Sequence, residues 1–413
     1  MAQNAVVIGS GVIGGTAALA LQRAGFAVTL VDPMRVPSGA SWGNAGHIAI
    51  EQAEPLASRA ALRSVPGRLF ARGGALDVRM GDWDRWLPFA WRLFRASSPA
   101  QFERGKAALG GLLARSTDAW RRLAATLDEP VFLESGHFVV WETPASAAAG
   151  LARWQAADTG TAVFRPATGE EMAQLAALMR KPPAGAIRFT NTGQIADPDL
   201  LAEALATAFA AANGTRLFEK ATLRVGDGKA AVELETGQSL QADIILVAAG
   251  AGSAALMAGA GHRVPLIAER GYHIQSDAAD WPDELGPIVF EDRSMIVTPF
   301  GTRVRAASFV EFARAEAPPD PRKWARLRAH VEALGLPMPL PGAVWMGSRP
   351  TLPDYLPAIG RSGRASNLLY AFGHQHLGLT LAPVTAQIVA AMATGAAPPV
   401  ALEPFWVERF EEP

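Results

Sequence analysis

The chain has 413 residues, more than one hydrophobic core usually serves, so two domains are expected. Hydrophobic residues make up 49% and charged residues 19%, which is typical of a globular protein and excludes a largely disordered chain. The 38 basic and 39 acidic side chains give a formal net charge of -1 without a basic run, so nucleic acid is not an expected partner, and the absence of cysteine excludes disulfides, thiolate metal sites and a thiol nucleophile.

The N-terminal segment predicts a strand, a glycine-rich turn, a helix and a second strand. Residues 5–8 are a short apolar run, residues 12–24 have helical spacing, and residues 27–31 are apolar and β-branched. Residues 1–21 are apolar but lack the basic region of a secretory signal, and we interpret them as part of the mature fold. The segment is typical of one βαβ unit.

The turn in that unit fits the pattern G-x-G-x-x-G, and Asp32 stands at the end of the following strand. The first glycine permits a tight turn, the second lets the backbone approach a pyrophosphate, and the third allows close helix packing, while the helix N-terminus favours the anion. Asp32 is placed to accept hydrogen bonds from a ribose. We expect a bound dinucleotide, although the motif does not separate NAD from FAD.

A helical region follows at residues 82–127 and begins what we expect to be the second domain. Five apolar side chains fall near one face of its first part: Trp83, Trp86, Leu87, Trp91 and Phe94. Packing of this face inside the protein is the favoured interpretation, because few basic residues occupy the opposite face. Contact with a membrane surface or with a redox partner stays open as the alternative.

The rest of the chain alternates strand and helix patterns. Residues 244–261 are long enough to span a membrane, but their alanine, glycine and serine content favours a strand and a turn. The aspartates around Pro198 predict the start of a helix. Helices are expected at residues 200–212, 318–334 and 382–393, and strands at residues 131–132, 138–141, 185–190, 217–225, 230–236, 244–248 and 368–371, with further strand-like material at 265–299 and 304–309.

Five later stretches carry a family pattern along nearly the full length of the chain. They read ASWGNAGH at residues 40–47, AAGAGS at 248–253, RGY at 270–272, GSRP at 347–350 followed by Pro353-Asp354, and GHQHLGLT at 373–380. Together with the glycine motif they resemble the D-amino acid oxidase superfamily, and within it the bacterial D-amino acid dehydrogenases and glycine oxidases. The resemblance implies that the dinucleotide is FAD.

The resemblance also implies an α/β fold: a Rossmann-like FAD-binding domain of the glutathione reductase type, with an interleaved α+β substrate domain built on a mixed or antiparallel sheet. This agrees with the interrupted element pattern. We expect the FAD-binding domain at residues 1–80, 190–264 and 347–413. The substrate-binding domain is expected at residues 81–189 and 265–346.

Two positions depart from the family pattern. Gly252 stands where the family often has tryptophan, which affects local packing. Gly43 follows Trp42, whereas relatives that attach FAD through histidine carry W-H-A-A-G in this loop. We therefore expect FAD to be held without a covalent bond, and the lack of cysteine excludes a cysteinyl tether.

The glycine motif and the resemblance together predict the residues that hold FAD. The stretch at 373–380 precedes a helix, so its N–H groups would meet the N1 and O2 edge of the reduced flavin. No metal site is expected, because the His-x-His pair in this stretch lacks further ligands at convincing spacing. The predicted FAD-binding residues are Gly9, Gly11, Val12, Ile13, Gly14, Asp32, Pro33, Ser41, Asn44, Ala45, Gly46, Ala249, Gly250, Gly347, Gly373, His376, Leu377, Gly378, Leu379 and Thr380.

Four side chains are expected at the reacting centre. Amino acid oxidation moves a hydride from the α-carbon to flavin N5, so the site must hold the carboxylate and keep the amine neutral. Arg349 is expected to bind the carboxylate through two hydrogen bonds. Tyr272 matches a family hydroxyl that assists it, with a core tyrosine as the alternative; His47 would orient substrate or accept the amine proton, with a structural role as the alternative; and His374 would flank the flavin edge.

The resemblance implies oxidation of a small D-amino acid, or of a D-imino acid such as D-proline or hydroxy-D-proline, to an imino acid that hydrolyses to a keto acid and ammonia. The alternatives are a glycine or sarcosine oxidase that uses oxygen, a flavin-binding electron-transfer subunit, and an NAD-dependent dehydrogenase. Expected partners are the substrate and an electron acceptor, either a quinone of the respiratory chain or oxygen. We expect a cytoplasmic protein, with peripheral contact to the inner membrane left open together with the oligomeric state.

Overall fold

The computed structural model describes residues 3–277, 280–282 and 284–411. The strand-like stretch predicted at residues 265–299 includes positions 278, 279 and 283, which lie outside the described residues. The same applies to residues 1, 2, 412 and 413 of the predicted FAD-binding domain.

The described residues form strands and α-helices that alternate along much of the chain. The strands are β1 Asn4–Ile8, β2 Ala27–Val31, β3 His47–Ile48, β4 Leu76–Val78, β5 Phe132–Leu133, β6 His137–Trp141, β7 Phe164–Pro166, β8 Gly185–Phe189, β9 Gly193–Ile195, β10 Thr215–Leu217, β11 Ala221–Gly226, β12 Lys229–Leu234, β13 Ser239–Leu240, β14 Ile244–Val247, β15 Ile267–Asp277, β16 Ile288–Phe290, β17 Met295–Phe300, β18 Arg303–Ala313, β19 Ala343–Thr351, β20 Ala358–Arg361 and β21 Leu368–Phe372. The helices are α1 Val12–Arg23, α2 Arg59–Arg68, α3 Trp83–Ala96, α4 Pro99–Ala124, α5 Pro144–Ala156, α6 Gly169–Leu178, α7 Pro198–Ala211, α8 Ser253–Gly259, α9 Pro321–Leu334 and α10 Gly378–Thr394.

A six-stranded sheet in the order β10-β2-β1-β14-β21-β20 forms the first domain, and its strands are parallel except for β20. Successive side chains of a strand point to opposite faces. Val7 and Leu246 therefore pack in the core beneath helices α1, α7 and α10, while Val6 and Ile245 pack in a second core with the three-stranded sheet β11-β12-β13. Both faces are covered, which explains why the central strands are apolar throughout.

A second sheet of nine strands forms the other domain. Its order is β19-β15-β18-β17-β16-β6-β8-β7, and β4 pairs alongside β18. Most neighbours are antiparallel, and helix α9 packs against β15 and β18. The predicted fold, a Rossmann-like domain with an interleaved second domain on a mixed sheet, is confirmed.

Two contacts cross the predicted boundary between the domains, one between strands and one between helices. Strand β4, within the predicted first segment 1–80, pairs with the second-domain strand β18. Helix α4, within the predicted segment 81–189, packs against α10 of the first domain. The strand β4 and the helix α4 thus each contact the domain on the other side of the predicted boundary.

Helix α10 begins at Gly378, earlier than the predicted start at residue 382. Pro383 inside it has no N–H, which leaves the Leu379 carbonyl without its helical donor. Trp120 of α4 replaces that donor, with Nε1 at 3.0 Å from the Leu379 oxygen. Among the described residues, Gln375–Thr394 is also long and apolar enough to cross a membrane, but 61% of that apolar stretch is buried inside the protein, as in a core helix.

Helix α3 corrects one sequence interpretation. Its apolar stripe was expected to pack inside the protein, yet Trp83, Leu87, Trp91 and Phe94 are all exposed. Phe89, on the opposite side of the helix, is the residue of α3 that is buried. The spacing predicted the helix correctly but assigned the wrong face to the core.

A buried ammonium joins three elements of the second domain. Lys323 of α9 is 0% exposed, and its Nζ lies 2.7 Å from Asp77 Oδ2, 2.9 Å from Glu311 Oε1 and 3.1 Å from Asp320 Oδ2. These carboxylates belong to β4, β18 and the N-cap of α9. The Lys323 ammonium thus supplies the positive charge that balances these three carboxylates.

Replacing Lys323 by Met should lower the free energy of unfolding by about 3–5 kcal/mol, because it leaves buried carboxylates short of a cation. Denaturant unfolding of the purified protein measures this. Arg322→Met is the matched control: that side chain is 74% exposed and pairs with Asp320 alone, so its loss should cost at most about 1 kcal/mol. Equal stability of the two variants would contradict the assignment.

Candidate active site

The glycine turn brings helix α1 onto strand β1 with no room for side chains. A Cβ added at Gly14 would lie 1.8 Å from the Gly9 carbonyl oxygen, and one at Gly9 would lie 2.4 Å from the Ala248 carbonyl oxygen. Gly9 also has a φ of +108°, which glycine alone adopts readily. The N-terminus of α1, which favours anions, is thereby held at the carboxyl ends of β1 and β14.

Two backbone N–H groups hold the Asp32 carboxylate in place. Its carboxylate accepts hydrogen bonds from the Ser10 N–H at 2.7 Å and the Met34 N–H at 2.8 Å. A carboxylate can accept about four hydrogen bonds, so capacity remains for a ribose. A cavity of about 440 Å³ opens here, with Ser10, Trp42 and Arg216 among its lining residues.

Residues 40–47, which we call the early loop, close over the start of α1. Ser41 Oγ accepts a hydrogen bond from the Val12 N–H at 3.1 Å, and a Cβ at Gly11 would meet the same oxygen at 3.2 Å. Ala249 and Gly250 follow β14, whose end adjoins the end of β1. The structure therefore gathers these predicted FAD-binding residues around one helix end.

Side chains of the second domain hold the early loop by its carbonyls. Arg305 Nη1 donates to the carbonyls of Trp42, at 3.2 Å, and of Asn44. Burial lowers the pKa of His273 to about 3, so its ring is neutral and Nδ1 donates to the Gly43 carbonyl at 3.0 Å. Burial lowers the pKa of Arg305 only to about 10, so it remains a cation at neutral pH.

Trp345 fills the space left by two glycines. A Cβ at Gly43 would come within 2.2 Å of the indole ring, and one at Gly347 within 2.1 Å. The indole also stacks on His273, with ring centroids 5.0 Å apart. Gly347, predicted at the cofactor, therefore lies beneath a tryptophan that links the second domain to the early loop.

The late turn, residues 373–380, contacts the residues that follow the early loop. Thr380 Oγ1 accepts a hydrogen bond from the Ala49 N–H at 2.9 Å, directly after the early loop. His376 Nε2 is hydrogen-bonded to Gln52 Oε1. Burial lowers the pKa of His376 to about 4, so its ring is neutral.

The two histidines of the late turn point to different partners. His374 Nε2 lies 3.0 Å from Thr385 Oγ1 inside α10, and burial lowers its pKa to about 3. The structure therefore places His374 in the packing of the helix, apart from His376. Gly373 turns the chain with a φ of +77°.

Arg349 stands at the centre of a buried polar group. Its Nη1 lies 3.3 Å from Glu269 Oε1 and donates to the Phe309 carbonyl at 3.2 Å. Glu269 Oε2 in turn accepts hydrogen bonds from the hydroxyls of Thr351 and Tyr355, each at 3.2 Å. Within the described part of the chain, Arg349 Nε and Nη2 form no hydrogen bond, so one edge of the guanidinium is free for a ligand.

Tyr272 lies on the other face of strand β15 from Glu269. Its hydroxyl donates to Glu311 Oε2 at 2.6 Å and accepts from Arg270 Nη2 at 2.9 Å. Side chains of a strand alternate, so Gly271 faces Arg349 while Tyr272 enters the core beneath α9. The structure does not bring Tyr272 together with Arg349.

His47 is paired with a buried carboxylate. Although burial raises the pKa of Glu51, the charge of His47 and its hydrogen bond outweigh that effect and lower it to about 2. Glu51 is therefore ionised and accepts from His47 Nε2 at 2.9 Å. Among the described residues, the buried His47 Nδ1 and Glu51 Oε2 have no hydrogen-bond partner, so both are available to a ligand.

A second histidine lies against this pair. The ring of His137 is 4.3 Å from that of His47, and its Nδ1 lies 2.8 Å from Thr192 Oγ1. Burial and the charge of His47 lower the pKa of His137 to about 3, although Glu51 acts in the opposite direction. His47, Glu51 and His137 are close enough to hold a metal ion, but hydrogen bonds already use three of their ligand atoms: His47 Nε2, Glu51 Oε1 and His137 Nδ1.

Sequence reasoning missed Glu269, Tyr355 and Glu51. Glu269 stands two residues before Gly271, so strand alternation was a usable signal for its position beside Arg349. Glu51 follows His47 by four residues, and Tyr355 directly follows the Pro353-Asp354 pair. His137 carried no signal of its own, because it meets His47 through a ring contact between two different sheets.

Residues 4–392 match the family model described as FAD dependent oxidoreductase, which covers most of the chain. The chain belongs to this family. FAD is therefore its cofactor, and the narrow glycine turn, the helix end and Asp32 fit its pyrophosphate and ribose. An NAD-dependent dehydrogenase, one of the alternatives from the sequence, is excluded.

Relatives of this FAD-dependent oxidoreductase match over nearly their full length. A D-amino-acid oxidase from Bradyrhizobium diazoefficiens is 32% identical, with 99% of each chain covered. D-amino acid dehydrogenase 2 from Pseudomonas aeruginosa is also 32% identical, with 94% of each chain covered. Among solved structures, glycine oxidase from Geobacillus kaustophilus superposes with a TM-score of 0.76 at 20% identity, covering 99% of this chain and all of the other, which shows the shared fold.

Replacing Gly14 by Ala should reduce bound FAD at least about tenfold, because the new methyl group would push α1 away from Gly9 and displace the helix end that faces the pyrophosphate. The ratio of flavin to protein absorbance after purification measures this. Gly110→Ala, inside helix α4, is the control, since a Cβ there would meet nothing within 4 Å among the described residues. Full FAD content in the Gly14 variant would refute this role.

Proposed function

We propose that this FAD-dependent oxidoreductase oxidises a small D-amino acid, or a cyclic D-imino acid, at its α-carbon. The observation that carries the proposal is the free edge of Arg349 beside the FAD-binding turns. Nε and Nη2 of a guanidinium form two parallel donors that match a carboxylate. The names of the two relatives at 32% identity, a D-amino-acid oxidase and a D-amino acid dehydrogenase, support the substrate class and its configuration.

Glu269 prepares Arg349 for this task. It holds Nη1 from one side, and the hydroxyls of Thr351 and Tyr355 hold Glu269. The guanidinium is thereby fixed before substrate arrives, which reduces the entropy lost on binding. We assign to Tyr355 the role predicted for Tyr272, that of assisting the carboxylate anchor, and Tyr355 acts through its hydrogen bond to Glu269.

His47 is the residue we assign to the substrate amine. Because Glu51 accepts the Nε2 proton of His47, Nδ1 is the ring atom at which His47 can take up a further proton. An amino acid arrives as an ammonium and must lose a proton before oxidation. We assign that proton to His47 Nδ1, where the adjacent Glu51 carboxylate stabilises the resulting imidazolium.

When bound, FAD supplies the acceptor for the hydride that leaves the substrate α-carbon. The imino acid then leaves the site and hydrolyses to a keto acid and ammonia, while a cyclic substrate gives a cyclic imine. We propose that FAD is held without a covalent bond, since Gly43 leaves no side chain at the position that carries histidine in covalently attached relatives. The electron acceptor is either a quinone or oxygen.

Replacing Arg349 by Leu should raise the apparent KM about 10- to 100-fold, the value of losing a charge-assisted pair of hydrogen bonds, with FAD content unchanged. Steady-state kinetics beside the flavin absorbance measure both. Arg349→Lys keeps the charge but not the planar fork, so it should recover only part of the affinity. A KM that stays at the wild-type value in the Leu variant would remove Arg349 from the substrate site.

Anaerobic mixing with a panel of D- and L-amino acids, glycine and cyclic imino acids should bleach the visible flavin absorbance with small D-substrates and not with their L-enantiomers. Admitting air then distinguishes the acceptors: rapid return of colour with peroxide release indicates an oxidase, and slow return indicates a dehydrogenase. Bleaching by glycine or sarcosine alone would replace the proposed substrate class. If no panel member bleaches the flavin, the chain acts as an electron-transfer subunit.

A further inference from the structure

An exposed apolar surface surrounds helix α3. Six of the thirteen large hydrophobic side chains exposed among the described residues fall between residues 56 and 94. Trp83 is 60% exposed, Trp91 61% and Met80 70%. Exposed apolar groups concentrated in this way mark an interaction site. We call the exposed face of this helix the α3 patch: Trp83, Leu87, Trp91 and Phe94, with the rings of Trp91 and Phe94 stacked 5.9 Å apart.

The α3 patch is presented by a firmly held helix. Phe89, on the inner side of α3, packs on Phe312 of β18 with ring centroids 5.5 Å apart. Asp84 binds Arg314 through two hydrogen bonds of 2.7 and 2.8 Å. The aromatic rings therefore face solvent because the opposite side of the helix is anchored.

The segment that carries the α3 patch is strongly basic, and Arg59 lies over the ring of Phe94 with Cζ 4.8 Å from the ring centroid. Residues 56–95 contain eight arginines against three aspartates, although the whole chain has a net charge of -1. The three aspartates are already paired, Asp77 with Lys323 and both Asp82 and Asp84 with Arg314. Seven of the eight arginines are exposed: Arg59, Arg63, Arg68, Arg72, Arg85, Arg92 and Arg95.

We propose that the α3 patch binds the headgroup region of an anionic lipid bilayer. An amphipathic helix that lies in a membrane surface combines aromatic and aliphatic side chains on one side with arginines around them, which attract anionic lipids. Tryptophan in particular concentrates at the membrane–water interface. The α3 patch has both features.

Charge separates this partner from a second copy of the chain. A symmetric dimer through the patch would place the same arginines opposite each other, and like charges repel. An anionic bilayer instead accepts the rings and neutralises the arginines. The inference concerns a surface apart from the FAD and substrate sites, so it holds or fails independently of the proposed reaction.

The test is sedimentation of the FAD-loaded full chain with vesicles. Wild-type protein should bind vesicles of phosphatidylcholine mixed with phosphatidylglycerol and bind pure phosphatidylcholine weakly. Raising the salt from about 0.1 to 1 M shortens the screening length from about 10 to 3 Å and should weaken the binding. Trp91→Ser with Phe94→Ser should weaken it at least about tenfold, because two buried rings are lost.

Control variants separate the patch from general effects of mutation. Arg92→Gln with Arg95→Gln should weaken binding to the anionic vesicles about tenfold and leave binding to phosphatidylcholine unchanged. Trp406→Ser removes a tryptophan that is 43% exposed outside the α3 segment, and it should bind as wild type does. All variants should keep their FAD content and their activity in solution, which shows that they are folded.

Two results would overturn the proposal. One is a wild-type protein that binds neither kind of vesicle, and the other is a Trp91/Phe94 variant that binds as tightly as wild type. Sedimentation without lipid measures the oligomeric state of both proteins. A dimeric wild type and a monomeric Trp91/Phe94 variant, neither of which binds vesicles, would assign the α3 patch to self-association.

Discussion

Three backbone carbonyls, those of residues 42–44, tie the early loop to the second domain. Arg305 and His273 hold them from strands β18 and β15. The same strands carry the groups that fix Arg349, namely the Phe309 carbonyl and Glu269. Glu269 and His273 are four residues apart on one strand, a separation of ~13 Å that an extended backbone keeps constant. The loop beside FAD and the proposed carboxylate anchor are thus set by one rigid sheet.

The two faces of strand β15 use charge for different purposes. On one face, Glu269 orients Arg349 and leaves part of it free for a ligand. On the other, Glu311 is enclosed by Arg270 and Lys323, with Tyr272 bonded between them, and this group secures helix α9 to the sheet. Buried carboxylates are costly unless they are paired, and both of these are. Neighbouring positions of one strand thus divide between ligand binding and stability.

The sequence predicted the parts of the fold that depend on local pattern. The glycine turn, its helix and Asp32 were recognisable because each glycine has a steric reason, and Asp197 caps α7 as its sequence context indicated. The face of α3 was not recognisable, since an apolar stripe has the same spacing whether it packs inward or outward. Tyr272 was misleading for a related reason: a motif gives a position along the strand, whereas its side of the sheet follows from pairing. Glu269 reaches Arg349 through the pairing of β15 with β19, and His137 reaches His47 through a contact between two sheets.

Trp345 and Gly43 constrain how this protein family can diversify. The indole occupies the volume that any side chain at position 43 would need, so a histidine able to attach FAD covalently cannot be introduced there alone. It would require a smaller residue at 345 in the same step, and that change would also remove the ring stacked on His273. Intermediates between the two modes of flavin attachment would pass through a poorly packed loop. A change at position 43 is thus limited by the residue at position 345.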